Sequence, residues 1–442
     1  MIKKIQFDSS KLGKLLLDFT KPNGDPYEVI VLAGENGCGK TSILEAISSL
    51  FQRFQLGEID NITYSINGHT VYLVNKKYNR IEHFSIDDSM QKSPIALNLT
   101  NDIKAPYNIC TKSFAYSKAR SGFQLMDINT ISAKDVDDEK KDFDGDDYTD
   151  IKQLLIDIDS IDDKNYKKFS QSNPNLLASK IQEEFDKVSR MSRFKNAFNS
   201  FFESLKFDGV GEPINNSFPI IFKKNNKAID INDLSTGEKQ IVLRGGRLLK
   251  NAGNMDDGIV LIDEPELSLH PQWQRKILDY YCDLFKKNSG LTAQIIMATH
   301  SEYVVESALK KSNCLVIILK DNKGTIESEN IIAPDILGTI TSSEINYKAF
   351  NVYSIDYHNA LYSVYQHQVG TESSILETDN KIFESCFFDS NVHLKVDTYG
   401  NRTYRTLPTY IRNAIDHPNN NRTYSYSELI DSTELLRKLC NQ

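Results

Sequence analysis

The stretch Gly34-Glu35-Asn36-Gly37-Cys38-Gly39-Lys40-Thr41 constrains this chain more than any other. It follows PYEVIVLAG, a β-branched apolar run ending in glycine. It precedes Ile43, Leu44, Ile47, Leu50, Phe51 and Phe54, which recur at helical spacing. A strand, a glycine-rich turn and a helix in that order leave several backbone N–H groups facing one point, and the helix N-terminus adds its positive dipole end. The pattern G-x-x-x-x-G-K-[ST] is therefore expected to cradle the phosphates of ATP through Asn36, Gly37, Cys38, Gly39 and Ser42, with Lys40 reaching the β- and γ-phosphates and Thr41 ligating Mg²⁺.

A second apolar strand, GIVLI (258–262), ends in Asp263-Glu264. Two carboxylates there stand at the carboxyl edge of a sheet, where open α/β folds bind their ligands. Asp263 is expected to hold Mg²⁺, directly or through water, and Glu264 to polarise the attacking water. His300 ends a third strand, QIIMAT, and is followed by Ser301. Alternating strands and helices over 216–335 point to a largely parallel sheet.

Leu234-Ser-Thr-Gly-Glu-Lys-Gln240 resembles the signature motif of ABC-type ATPases. With DEPELSLHP (263–271) and ATHS (298–301), the combination is similar to the branch containing SMC-like, OLD-like and related bacterial defence ATPases. Reading Ser268-Leu269-His270 where transporters usually carry Ser-x-Leu-Asp, the chain departs from the transporter pattern. The resemblance implies an ABC-type P-loop head that dimerises on ATP. Ser235, Gly237 and Glu238 would serve the nucleotide bound by the other subunit, and His300 would sense the γ-phosphate from its own side. It also implies a glutamine linking Mg²⁺ to the arm. Gln124, after SFAYSKARSGF, is the candidate, weighed against Gln52 and Gln55 on the first helix.

Length and composition frame this head. The chain has 442 residues, 40% hydrophobic and 25% charged, with a net charge of −8, which suits a globular protein and excludes a broadly cationic nucleic-acid wrapper. The acidity is concentrated. Residues 135–163 hold thirteen acidic side chains and three lysines, so the rest is slightly positive. A calcium loop at Asp142, Asp144 and Asp146 is disfavoured, because Gln153 stands where a bidentate glutamate belongs; the tract reads as a solvated insertion. Six dispersed cysteines without metal spacing, no signal-like N-terminus and no long apolar run predict a cytoplasmic protein without membrane spans. The expected organisation is an N-terminal lobe (1–135), an acidic and helical insertion (136–215), a C-terminal lobe (216–335) and a small all-α domain (336–442). The fold class is α/β, with a mixed sheet.

That last domain decides what ATP is used for. LPTYIRNAIDH (407–417) reads as a short amphipathic helix between Pro408 and Pro418, with Arg412, Asn413 and His417 off its apolar face. Arg-Asn-x-x-x-His resembles the R-x₄₋₆-H motif of HEPN ribonucleases, and anticodon nucleases also join an ABC-type head to an RNA-cutting domain. The resemblance implies metal-independent RNA cleavage, with tRNA as a candidate substrate, His417 moving protons, Arg412 neutralising the phosphorane and Asn413 orienting it. Arg402, Arg405, Arg412 and Arg422 among several tyrosines would form a basic, aromatic patch. The competing expectation is an ATPase sensor or scaffold restraining a separate effector or inhibitor protein, as in Septu-like or retron-linked systems. An intrinsic Toprim nuclease is disfavoured, since no E…DxD set follows LVIILKDNKG.

Overall fold

The computed structural model describes residues 1–76, 80–86, 91–95, 107–119, 148–213, 218–249, 255, 257–287, 290–331, 334–372, 374–399, 401–417 and 422–442. They form two compact units, Met1–Asn330 and Ile331–Gln442.

The first unit is organised by a six-stranded sheet in the order Thr325–Ile331, Cys314–Asn322, Val29–Gly34, Ala293–Thr299, Gly258–Asp263 and Phe114–Ser117. Its inner strands are buried at every position, as near-continuous Val/Ile/Leu runs must be when both faces are covered. The four pairings that join Cys314–Asn322 to Phe114–Ser117 are all parallel. Their register sets Asp263 beside Ala298 and Thr299 beside Ala33. The loop after Gly34, the Asp263-Glu264 turn and His300 thus emerge at one edge. Behind the glycine-rich loop runs the helix Lys40–Arg53, whose Ile43, Leu44, Ile47, Leu50 and Phe51 are fully buried. A second, antiparallel sheet beginning with Ile2–Ser9 and Gly13–Asp18 and continuing through Ile59–Ile66 shares that core.

The remaining lobe is built on aromatic rings. Helix Arg190–Phe201, strands Leu205–Val210 and Ile220–Lys224, and helix Ile277–Leu284 bring Phe194, Phe198, Phe201, Phe202, Phe207, Phe222, Trp273 and Tyr280 into mutual ring contact. Against this cluster lies helix Thr236–Leu249. Its Gly245 lets it approach: a Cβ there would stand 1.9 Å from the Tyr280 hydroxyl, which donates to the Ile241 carbonyl at 2.9 Å.

The described half of the acidic tract is not a solvated loop. It lies in helix Tyr148–Ser172, where Leu155, Ile156 and Ile158 are buried and the acids occupy intervening positions. Asp162 accepts bonds from Ser189 Oγ at 2.6 Å and Met191 N at 3.0 Å, fastening the start of helix Arg190–Phe201. The apolar residues at three- and four-residue spacing outweigh the charge, because a helix can bury one stripe and leave most of its carboxylates at least partly exposed, although Asp157 is buried with the stripe.

Helices Ser342–Phe350, Ile355–Gln368, Ile375–Phe383, Leu407–Asp416 and Tyr426–Cys440 make up most of the second unit. Tyr357, Leu361, Tyr362, Ile382, Leu435 and Leu436 fill its centre. It departs from the all-helical expectation at one place. Leu394–Tyr399 and Arg402–Thr406 pair as an antiparallel hairpin. Thr, Val and Tyr favour that state, and the buried Asp379 carboxylate secures the second strand by accepting from Arg405 N, Thr406 N and Thr406 Oγ1. Pro408 lies in the first turn of Leu407–Asp416, as the sequence predicts. No helix among the described residues is long and apolar enough to cross a membrane.

Candidate nucleotide site

The phosphate loop turns through left-handed backbone at Gly37 (φ 86°) and Gly39 (φ 85°), the latter capping helix Lys40–Arg53. Glu35, Asn36 and Gly37 are exposed, while Cys38 and Ser42 face inward, so Cys38 can offer only its backbone N–H outward. The Cys38 thiol donates to the Glu35 carbonyl at 2.9 Å, and burial pushes its pKa up. Lys40 is 5% exposed. Its Nζ donates to the carbonyls of Gly34 and Glu35, both at 2.8 Å, and stands 3.5 Å from His300 Nδ1. Burial pulls its pKa down.

Opposite the helix start, Thr41 Oγ1 donates to Asp263 at 3.1 and 3.2 Å. Burial is the main reason that the Asp263 carboxyl is pushed up to about 6; the Glu264 charge adds to it, while the Thr41 bond, Arg244 and Lys40 oppose it. Glu264 occupies left-handed backbone (φ 45°), which for a non-glycine residue costs on the order of 1–3 kcal/mol. Its Oε1 lies 3.7 Å from His300 Nε2, and its N–H donates to the Ala298 carbonyl at 2.9 Å. Burial and the Lys40 charge hold the His300 pKa down. Lys40, Thr41, Asp263, Glu264 and His300, from three separate stretches, therefore converge on one edge.

The signature residues engage elsewhere in the same unit. Ser235 and Glu238 form a reciprocal cap: Ser235 N donates to Glu238 Oε2 at 2.7 Å and Glu238 N to Ser235 Oγ at 3.4 Å. Glu238 also pairs with Lys224 at 2.8 Å. Gly237 backs onto the loop after Glu264, where an added Cβ would meet the Ser268 carbonyl at 2.9 Å and the Trp273 ring at 3.2 Å. Gln124 lies outside the described residues.

The C-terminal set is arranged differently from its sequence expectation. Arg412 is held by Asp416 at 2.7 Å and donates to Asn413 Oδ1 at 3.2 Å. Asn413, expected on the open side, is 3% exposed, because it shares the inward face with Ile411 and Ala414. His417 caps the helix, donating its N–H to the Asn413 carbonyl at 3.1 Å. Much of the basic window is internally occupied: Arg422 pairs with Asp397 at 2.8 Å, and Arg405 stacks 3.8 Å over Phe383 while donating to Asn380, whereas Arg402 is exposed.

Three residues escaped the sequence reading. Glu266 Oε1 accepts the His300 N–H at 2.6 Å. Gln274 accepts from Ser301 Oγ at 2.6 Å and donates to the Leu269 carbonyl at 3.0 Å. Arg244 donates to the carbonyls of Asp263 and Glu264. Only Arg244 left a legible mark, a charge among the buried Ile241, Val242, Leu243 and Leu248.

The family described as "AAA domain, putative AbiEii toxin, Type IV TA system" matches residues 29–306, from the loop strand to beyond His300. The chain belongs to that family. Septu protein PtuA of Bacillus thuringiensis is 26% identical over 336 residues, covering 70% of this chain and 74% of its own. The "Retron Vc95 probable ATPase" of Vibrio cholerae serotype O1 biovar El Tor is 24% identical over 377 residues, 68% of this chain and 70% of its own. An SMC head domain from Thermotoga maritima aligns over 75% of this chain and 98% of its own at 14% identity, with a TM-score of 0.40.

Proposed function

We propose that this AAA-family chain is a Mg²⁺-dependent ATPase of a bacterial defence system, working as a head-to-tail pair and governing a separate effector protein. The observation that carries the ATPase reading is the convergence of Lys40, Thr41, Asp263, Glu264 and His300 at one sheet edge. Lys40 now bonds two loop carbonyls, and a triphosphate would draw the ammonium from them onto the β- and γ-phosphates. The Thr41 hydroxyl and the Asp263 carboxylate offer two adjacent hard oxygens, a donor set that suits Mg²⁺ completed by phosphate and water. When bound, the ion would neutralise charge on the β- and γ-phosphates. Glu264 would accept a proton from the attacking water as ADP and phosphate form, and His300, beside both Lys40 and Glu264, would contact the γ-phosphate. The capped Ser235 helix start, exposed at Ser235 and Thr236, would complete the site of a second copy.

The defence role rests on similarity to the Septu and retron proteins. The separate effector is favoured over an intrinsic ribonuclease by the state of the C-terminal set. An Arg412 spent on Asp416 and a buried Asn413 are poorly placed to meet a ribose phosphate. The ATPase reading is tested by nucleotide binding and phosphate release of the wild type and Lys40→Ala, which should bind ATP at least about tenfold more weakly. Unchanged affinity would remove it. In phage-challenged cells, His417→Ala should keep full protection; loss of protection together with loss of RNA cleavage would restore the ribonuclease reading.

A further inference from the structure

Arg244 is 3% exposed, and its guanidinium donates to four oxygens. Nη1 donates to the Asp263 carbonyl at 3.0 Å and the Glu264 carbonyl at 2.9 Å, Nη2 to the Ala119 carbonyl at 2.7 Å, and Nε to Gln240 Oε1 at 3.3 Å. The planar fork of a guanidinium suits this arrangement, since one nitrogen spans two successive carbonyls while the other reaches a separate strand end. Those two carbonyls belong to the residues whose side chains would hold Mg²⁺ and activate water. At Glu264 the backbone is left-handed immediately before Pro265, a conformation that persists only where its surroundings impose it. The Ala298 carbonyl holds its N–H, and Arg244 holds its carbonyl. Arg244 itself rides on helix Thr236–Leu249, which begins at the Ser235 cap.

We propose that Arg244 is a positioning residue for hydrolysis, its guanidinium fixing the Asp263-Glu264 turn so that the Glu264 carboxylate points at the attacking water. The role rests on the ATPase reading above. It makes Arg244 a link between the helix that would touch a second copy's nucleotide and the carboxylate that acts on this copy's own.

The test uses the full chain as wild type, Arg244→Ala and Arg244→Lys, with Lys40→Ala as a control. Steady-state hydrolysis, affinity for a fluorescent ATP analogue, amide exchange of residues 263–270 and thermal unfolding are measured together. Arg244→Ala should lower kcat by about tenfold or more while KM and analogue affinity stay within about threefold, since the phosphate loop is untouched. Arg244→Lys, able to bond one of the two turn carbonyls, should recover part of kcat, and millimolar guanidinium ion should recover part of it in Arg244→Ala. Exchange at the Glu264 amide should rise in both variants. An unchanged kcat overturns the proposal. So does a loss in which affinity, kcat and melting temperature fall together in both variants without guanidinium rescue, the signature of a purely structural residue. If Arg244→Ala does not fold, the same split read on Arg244→Lys decides. A wild type without hydrolysis that Lys40→Ala abolishes defeats the ATPase reading first and this proposal with it, whereas an active, Lys40-dependent wild type with indifferent Arg244 variants defeats this proposal alone.

Discussion

Glu238 shows how one residue can carry two readings. The letters S-T-G-E match both a nucleotide-binding signature and a capping box, in which Ser and Glu three positions apart satisfy each other's backbone N–H groups. In this chain the Glu238 carboxylate is committed to Ser235 N and Lys224, and these bonds hold its pKa down despite burial. On the proposed reading, its contribution to a second copy's nucleotide would be to hold Ser235 and the helix start in place. Removing the cap in Glu238→Ala should cost about 1–2 kcal/mol. It should weaken ATP-dependent self-association more than ATP binding by a single chain, measured by light scattering beside analogue titration. The role proposed for Arg244 was hidden for the opposite reason: besides the nearby Gln240, its partners are three carbonyls nineteen and more positions away, which no local pattern encodes.

At the scale of elements, the sequence spoke clearly where one period dominated. The apolar strands around residues 29–34, 258–263 and 293–299 and the helix after Lys40 stand where hydrophobic periodicity puts them. It misled where two signals competed, charge against apolar spacing in Tyr148–Ser172, and strand-forming residues flanked by helices at Leu394–Thr406. Close packing between elements gives a sharper test than their existence. Gly245→Ala should destabilise the chain by about 1–3 kcal/mol, because the methyl would collide with the rigid Tyr280 ring and its hydroxyl. Adding Tyr280→Phe should return part of that loss, and urea unfolding of the single and double variants checks it. In the second unit, helix Ile355–Gln368 is joined to Tyr426–Cys440 by His358 Nε2 and Ser432 Oγ at 2.8 Å. Burial lowers the His358 pKa to about 4, so it stays neutral when folded. The unfolded chain takes up a proton below about pH 6.5 that the folded chain refuses. Stability is therefore full above that pH and falls as pH drops toward 4, by about 2 kcal/mol between pH 7 and 5. Hydrogen exchange of the Ile355–Gln368 amides, corrected for intrinsic rates, should show this slope, and His358→Asn should flatten it.

For the whole molecule, the net charge of −8 was a poor guide until its distribution was known. Three of the four arginines that look like a patch in sequence are paired or stacked in the fold, Arg412 with Asp416, Arg422 with Asp397 and Arg405 over Phe383, while Arg402 stays exposed. If the head pairs on ATP as proposed, hydrolysis would end the paired state. Glu264→Gln keeps the shape of the side chain and removes its basicity, so it should bind ATP normally and accumulate as an ATP-dependent dimer, visible by size-exclusion chromatography with light scattering. A variant that turns over normally would take the base role from Glu264.

Trp273 is the single tryptophan of the chain, and its ring stands between Phe202 at 5.0 Å and the space left by Gly237. The molecule thus contains one indole, which can be excited at the red edge apart from its 21 tyrosines, placed under the helix start that a second copy's ATP would touch. Its emission can time the meeting of two heads in a stopped-flow instrument without any label, separating the moment of engagement from the later moment of bond cleavage.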